Sequence, residues 1–152
     1  MTGPSRPNVL LVRAGSRLCA LPLACVVETL RPLHTSPLAG TPACVSGVAV
    51  VRGAPTPVVD LDALLGSPGG APPARFVILR LGERRAALAV TEVVGLGELS
   101  EGDVAGAPLL DGAADGAVAA LRSRDDALLV VLAAARLVPE AAWRAVDERA
   151  AP

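Results

Sequence analysis

The chain alternates short apolar runs with tight glycine turns. Val9–Val12 and Phe76–Leu79 are continuously apolar rather than alternating with polar residues. Strands of this kind are buried on both faces or line the inside of a barrel. A short turn follows each run, at Gly15-Ser16 and at Gly82-Glu83, and a second apolar strand comes next. Each segment therefore predicts a β-hairpin whose first strand is buried.

The two hairpins belong to an internal repeat. The segment Val9–Leu30 aligns with Phe76–Gly97 without a gap, at a constant offset of 67 residues. Seven positions are identical, namely Arg13, Gly15, Arg17, Ala20, Leu21, Val26 and Val27 in the first copy and Arg80, Gly82, Arg84, Ala87, Leu88, Val93 and Val94 in the second. This repetition predicts two similar structural units within one chain.

The rest of the first unit predicts one short helix, two strands and a second short helix. Pro22 is suited to the first turn of a helix, which Pro32 ends. The apolar side of this helix is expected to consist of Leu23, Val26, Val27 and Leu30. Residues 46–52 and 56–60 predict strands around a turn at Gly53-Ala54, and Asp60 can cap a brief helix that ends near Gly66.

The second unit follows a linker rich in proline and glycine at residues 67–74. Its hairpin leads to an extended segment at 93–98, a loop rich in acids and glycines at 100–115, and strands near 117–122 and 127–132. Pro139 is expected to open a C-terminal helix with Ala142 and Val146 on one face. The total of about ten short strands in two units, at about 8–66 and 75–138, is typical of paired small barrels.

Composition excludes several classes of function. The apolar fraction of 52% comes mainly from Ala, Val and Leu, so the core is built from small aliphatic side chains. All 14 basic residues are arginine and they face 15 acidic residues, a balance that argues against a nucleic-acid surface. The absence of lysine removes the P-loop lysine, the Schiff-base lysine and the Ser/Lys dyad.

Cysteine usage and hydropathy predict a cytoplasmic protein. Cys19, Cys25 and Cys44 are odd in number and lack C-x-x-C spacing, which predicts free thiols rather than disulfides or a zinc site. Residues 1–7 lack the apolar stretch of a signal peptide. The longest apolar run, Ala127–Ala135, has nine residues against the ~20 that span a bilayer. We expect no direct membrane insertion, although a partner could hold the protein near a membrane.

No catalytic, metal or cofactor site emerges from the motifs. His34 is the single imidazole and follows Pro32 in a connecting segment, where a solvated loop residue is the expected role. Asp60 and Asp62 lack a third oxygen ligand at calcium or magnesium spacing. Gly95-Leu96-Gly97 has neither the third glycine nor the βαβ unit of a dinucleotide site. We therefore predict a protein that is not an enzyme and has no cofactor.

Arg52 is the most informative charged residue. It ends the apolar run Gly47–Gly53 beside a glycine turn. One interpretation is a solvated strand end. The other is an anchor that forms bidentate contacts with a carboxylate of a partner, a role for which arginine suits interfaces.

Gly47–Gly53, followed by Pro57-Val58-Val59-Asp60-Leu61, resembles the signature of CheW-like domains. Ala20-Leu21-Pro22-Leu23 with Val26 and Glu28, and the hairpin Phe76–Val90, resemble further parts of that family, and the similarity spans a single domain at about 8–138 with a C-terminal helix and tail at 139–152. The resemblance implies a mostly β fold of two intertwined five-stranded SH3-like barrels, with strand exchange between the units allowed. The chain departs from the family pattern at Thr91 and Ala133, where Asp is usual, and at Ala87, where Gly is usual.

The resemblance also implies a function. Such proteins are adaptors that join a CheA-like, chemotaxis-type histidine kinase, through its regulatory domain, to the cytoplasmic tips of methyl-accepting chemoreceptors. By position, the residues that meet partners are Val26, Glu28, Gly47, Arg52, Gly53, Val93 and Leu96. Two alternatives stay open: a barrel whose groove binds a small apolar molecule, and an enzyme that uses Cys25 or Cys44 with His34.

Overall fold

The apolar runs that open the two repeats form central strands of two β-sheets. The computed structural model describes residues 6–67, 72–99, 105–106, 117–124 and 127–150. Residues 68–71 of the expected linker at 67–74 lie outside these residues, as do most of the loop at 100–115, most of the N-terminal segment 1–7 and the last two residues of the tail. Within the described residues no helix is long and apolar enough to cross a membrane.

Eleven strands and two α-helices make up the described part of the chain. The strands are β1 (Val9–Ala14), β2 (Arg17–Pro22), β3 (Val26–Leu30), β4 (Val45–Val51), β5 (Ala54–Asp60), β6 (Arg75–Leu81), β7 (Arg84–Val90), β8 (Glu92–Gly97), β9 (Ala105–Gly106), β10 (Val118–Arg124) and β11 (Ala127–Leu132). The α-helices are α1 (Leu61–Leu64) and α2 (Glu140–Ala150), and single 3-10 turns occur at Leu23–Cys25 and Ala134–Arg136. The mostly β class, both tight hairpin turns and the C-terminal helix are as predicted.

The expected helix after Pro22 is wrong beyond its first turn. Leu23–Cys25 form a single 3-10 turn, and Val26–Leu30 form strand β3 instead. Three of these five residues, Val26, Val27 and Thr29, are β-branched, which favours extended backbone. The strand gains its hydrogen bonds from β6, about fifty residues away in sequence, so tertiary pairing overrides the local helical pattern.

Each repeat gives its third strand to the other. The six-stranded sheet has the order β8-β1-β2-β11-β10-β9, and the five-stranded sheet has the order β3-β6-β7-β5-β4. Strand β3 of the first repeat thus pairs with the second hairpin, and β8 of the second repeat pairs with the first hairpin. Beside β1 and β8, the side-chain amide of Asn8 donates to the carbonyl of Leu99 and accepts from its N–H, both at 2.8 Å. The two units are therefore intertwined.

The internal repeat extends further than the sequence alignment indicates. Val27 and Val94, which are equivalent in the repeat, both lie at β-bulges where a strand crosses to the other unit. The hairpin β4–β5 also corresponds to β10–β11, because each contains a bulge at the same place. In addition, β5 pairs in parallel with β7, and β11 pairs in parallel with β2. This second correspondence has an offset of 73 residues, since Val45 and Val59 pair as Val118 and Leu132 do.

Burial on both faces explains why the opening strands are continuously apolar. On β1, Leu10 and Val12 face the main core between the two sheets, whereas Val9 and Leu11 face a smaller core within the six-stranded sheet. Strand β6 is divided in the same way: Val77 and Leu79 join the main core. Its residues Phe76 and Ile78 pack inside the five-stranded sheet, against residues of every other strand of that sheet.

Each sheet thus wraps around its own small core, as a barrel does, yet the backbone pairing leaves both sheets open. The five-stranded sheet ends at β3 and β4, and the six-stranded sheet ends at β8 and β9. The expected barrels are therefore strongly curved sheets that are not closed by a continuous hydrogen-bond ladder.

Asp60 caps helix α1, as predicted. Its Oδ1 accepts hydrogen bonds from the backbone N–H groups of Asp62 at 3.0 Å and Ala63 at 3.4 Å. At the equivalent place in the second unit, Ala133 precedes the 3-10 turn Ala134–Arg136 in an extended conformation and provides no side-chain cap. The two units thus differ by one helix cap.

We expect Asp60→Ala to lower the free energy of unfolding by about 1 kcal/mol, because the cap of α1 is lost. Ala133→Asp is the matched gain-of-cap variant and should raise it by a few tenths to about 1 kcal/mol. Urea denaturation followed by circular dichroism measures both changes. Equal stability of Asp60→Ala and the wild type would contradict this role.

Gly47 is required by packing. It is buried and has a φ of +146°, and a Cβ at this position would overlap the backbone carbonyl of Ser36. Ser36 and Val48 exchange two backbone hydrogen bonds, of 2.9 and 2.7 Å, which hold the chain before β4 close to this strand. Glycine at position 47 thus permits the close backbone approach.

Gly47→Ala should therefore lower the free energy of unfolding by about 3 kcal/mol or more, through strain and loss of the Ser36 contact. Gly53→Ala is the control, because its φ of +81° is also positive but open space surrounds the added methyl group. We expect a cost of about 1 kcal/mol there. Similar midpoints for the two variants in chemical denaturation would show that the overlap with Ser36 is not decisive.

Candidate functional site

Arg52 and Glu28 form an ion pair that joins the two edges of the five-stranded sheet. Arg52 Nε donates to Glu28 Oε2 at 3.2 Å and its terminal nitrogen donates to Oε1 at 2.6 Å. Glu28 lies on β3 and Arg52 lies in the turn after β4, and these strands are the opposite edges of the sheet. The sheet curls far enough for its edges to meet through side chains. A bidentate pair takes the place of the missing backbone pairing at this end.

The backbone of the β4–β5 turn points Arg52 toward this partner. Arg52 and Gly53 both have positive φ, at 50° and 81°, as a two-residue hairpin of type I′ requires. Arg52 is the single residue other than glycine with positive φ among the described residues. This conformation costs a non-glycine residue about 1–2 kcal/mol, so the rest of the hairpin must hold it.

The pair is exposed but electrostatically coupled. The side chain of Arg52 is 66% exposed and that of Glu28 is 25% exposed. The hydrogen bonds from Arg52 lower the pKa of the Glu28 carboxyl below its ordinary value, and the charge of Arg85 lowers it further. The same pairing raises the pKa of Arg52. Both groups are therefore charged at neutral pH, and the guanidinium remains open to solvent on its outer side.

The outer edge of β4, beside this ion pair, is partly paired among the described residues. The backbone N–H and C=O groups of Val48 bond to Ser36 and therefore point away from β5. The backbone groups of Val50 point in the same direction, because the hydrogen-bonding direction repeats every two residues along a strand. The side chain of Val50 is 67% exposed. An exposed apolar side chain thus lies on an edge strand, two residues from Arg52.

The predicted residues of the second unit lie on the other sheet. Val93 is half-buried against the main core, and so is its repeat equivalent Val26, whereas Leu96 is 59% exposed. The bulged residues Val27 and Val94 are exposed as well. The crossing strands β3 and β8 therefore each combine half-buried and exposed apolar side chains.

The predicted set thus divides into three groups. Glu28, Arg52 and Gly53 form one corner, while Val26, Val93 and Leu96 lie on the two crossing strands. Gly47 is buried against Ser36 and offers no side-chain surface. Val27, Val50 and Val94 are exposed residues that were not among the predicted partner-binding residues. Val27 and Val94 are, however, one of the seven identical pairs of the repeat.

A family model described as the CheW-like domain matches residues 8–142 of the chain. The chain belongs to the CheW-like domain family. A search of curated proteins returns no match. Among solved structures, the CheW-like chain is similar to the scaffolding protein TtCheW from Thermoanaerobacter tengcongensis, with a TM-score of 0.71 and 20% sequence identity over 84% of this chain and 90% of that one. This likeness bears on the fold.

The thiols and the single imidazole of the CheW-like domain differ in burial. Burial raises the pKa of the Cys19 thiol to about 12 and also raises that of Cys44. His34 is exposed. Within the described residues no cluster of three or more His, Cys, Asp or Glu side chains could hold a metal ion.

The pKa of Glu28 provides a test of the ion pair. A folded-state pKa below the unfolded value means that the pair stabilises the fold above the ordinary glutamate pKa of about 4.3, and that this stabilisation is lost as the pH falls through the lowered value. Arg52→Ala should return the pKa of Glu28 toward its ordinary range. A titration of the side-chain carboxyl carbons by NMR measures this change.

Arg75→Ala is the control, since Arg75 is an exposed arginine of the same sheet whose side chain bonds to its neighbour, the carbonyl of Ala74. The pKa of Glu28 should be the same in this variant and in the wild type. A Glu28 pKa that does not change in Arg52→Ala would show that the pair does not persist in solution.

Proposed function

We propose that this protein is a non-catalytic adaptor that couples methyl-accepting chemoreceptors to a CheA-like histidine kinase. Membership of the CheW-like family supports a role as a scaffold in chemotaxis-type signalling. The observation that carries the proposal is the corner formed by Glu28, Arg52 and the outer edge of β4. It combines an oriented charge with an exposed valine, Val50, at the edge of the five-stranded sheet.

The kinase contact is assigned to this corner. An exposed strand edge can pair with or pack against an edge of another small barrel, with the regulatory domain of the kinase as the partner. Arg52 is preorganised, because Glu28 holds its guanidinium in one orientation while the outer face remains accessible. Ordering this side chain before association reduces the entropy that binding would otherwise cost.

The receptor contact is assigned to the crossing strands. Val27 on β3 and Val94 and Leu96 on β8 are exposed apolar side chains, and a strand that presents such side chains suits the apolar face of an amphipathic helix from the receptor tip. Because each crossing strand belongs by sequence to one unit and by pairing to the other, a receptor helix bound there contacts both units. The two partners would therefore be held in one geometry, and a receptor change would bias the active state of the kinase.

The first experiment measures kinase binding by Arg52→Ala. The purified variant should keep the wild-type circular dichroism spectrum and lose about 2 kcal/mol of affinity for the kinase regulatory domain in calorimetry, as an interface anchor does. Arg75→Ala is the matched control and should change affinity by less than about 0.5 kcal/mol. Wild-type affinity in the folded Arg52→Ala variant would overturn the assignment of the corner.

Leu96→Glu separates the two contacts. It should weaken binding of a receptor cytoplasmic fragment by about tenfold or more, because a charge enters an apolar contact. Kinase affinity should remain within about twofold of wild type. Loss of both interactions together would indicate that the two surfaces are not separate.

A further inference from the structure

A cleft lies where the C-terminal helix passes the β6–β7 turn. Its volume is about 350 Å³. The lining residues come from the turn, from the two 3-10 segments and from α2, and the chemically distinct ones are Cys25, Arg80, Gly82, Arg84, Ala135 and Trp143. The cleft thus combines two guanidinium groups with an indole, a thiol and a small apolar wall. It contains neither Glu28 nor Arg52 and does not rest on the proposed adaptor function.

The internal repeat shows which side chains lie beside the first hairpin at the place that corresponds to the cleft. Arg80 corresponds to Arg13, and Cys25 corresponds to Glu92, at the offset of 67 residues. Beside the first hairpin Glu92 pairs with Arg13, with 3.4 Å between Oε2 and Nε. Beside the second hairpin the thiol of Cys25 stands at the position of that carboxylate. Arg80 Nε instead donates to the carbonyl of Gly82 at 3.3 Å, within its own hairpin.

A second carboxylate differs in the same way. Ala135 corresponds to Asp62 at the offset of 73 residues that relates the strands preceding them. Asp62 lies against the first hairpin turn, with Oδ1 3.2 Å from the position of a Cβ built on Gly15. Its counterpart Ala135 leaves the space beside Gly82 unfilled. The carboxylates of Glu92 and Asp62 beside the first hairpin are thus replaced, beside the second hairpin, by the thiol of Cys25 and the methyl group of Ala135.

Arg84 shows that this place accepts a carboxylate from elsewhere. It pairs with Asp147 of α2, and its guanidinium lies over the ring of Trp143, 4.5 Å from the centroid. Arg80 has no carboxylate partner among the described residues, which leaves its terminal nitrogens available. A guanidinium beside an apolar wall suits a ligand that carries an anionic group on an apolar body.

We propose that this cleft binds a carboxylate attached to a small apolar body, which pairs with Arg80 and packs against Trp143. The ligand fills the volume that Glu92 and Asp62 fill in the first unit. A free organic acid and an acidic side chain of a partner peptide share this chemistry. Trp143 lies just beyond residue 142, where the family match ends, whereas Arg80 lies within the match.

Two reporters lie in the cleft. Trp143 is the single tryptophan of the chain, and Cys25 is half-buried whereas Cys19 and Cys44 are buried. The full-length protein is titrated with benzoate and, separately, with the neutral isostere benzamide, while tryptophan fluorescence and the alkylation rate of Cys25 by N-ethylmaleimide are followed. We expect benzoate at about 10 mM to change the fluorescence and to slow alkylation about threefold, as mass action gives for a Kd of about 5 mM, and benzamide to have little effect.

Variants test the role of Arg80. Arg80→Gln should abolish the benzoate effects, while Arg75→Gln, at the other end of β6, should retain them. Ala135→Asp places the carboxylate of the first unit into the cleft and should also abolish them, with its fold checked by circular dichroism. Benzoate and benzamide acting equally, or an undiminished benzoate effect in Arg80→Gln, would overturn the proposal.

A short acetylated peptide with one glutamate next to a leucine distinguishes the two sources of the ligand. Stronger protection of Cys25 by the peptide than by benzoate would identify an acidic segment of a partner as the ligand. Protection by benzoate alone would identify a free organic acid. Failure of both to protect Cys25 would refute the site, whatever the outcome for the kinase and receptor contacts.

Discussion

The exchange of third strands between the two repeats is the constraint on which the rest of the structure depends. Strand β3 completes the sheet of the second hairpin and β8 completes that of the first. The main core lies between the two sheets and draws residues from both. Neither unit therefore has a complete sheet or a complete core from its own residues. The exchange stabilises each unit through the other and fixes their relative orientation.

The same exchange creates the candidate surfaces. Because β3 reaches the five-stranded sheet from the other repeat, it forms an edge and brings Glu28 to Arg52 on the opposite edge. Bulges at Val27 and Val94 expose apolar side chains where the strands cross. Charge, strand edge and apolar surface thus all arise where the sheets end. The six-stranded sheet has a small aliphatic core, whereas the core of the five-stranded sheet includes Phe76.

Much of this architecture was predictable from the sequence. The apolar runs and glycine turns predicted the hairpins, because burial on both faces and a tight turn leave local signals. Strand β3 was missed because its partner β6 is distant in sequence, whereas Pro22 and the spacing of Leu23 and Val26 favoured a local helix. The Glu28–Arg52 pair joins residues 24 positions apart on opposite edges, so their contact required the curvature of the sheet. The equivalence of Glu92 and Cys25 within the repeat was available from the sequence, but the pairing of Glu92 with Arg13 and the cleft beside Cys25 required the structure.

Strand exchange also bears on synthesis of the chain. The hairpin β1–β2 leaves the ribosome early, yet its neighbours β8 and β11 end at residues 97 and 132. Both edges of this apolar hairpin therefore lack partners until most of the chain has been translated, and exposed edges of this kind promote association between nascent chains. The first hairpin therefore completes its pairing late, although in the folded molecule it is among the most deeply buried parts.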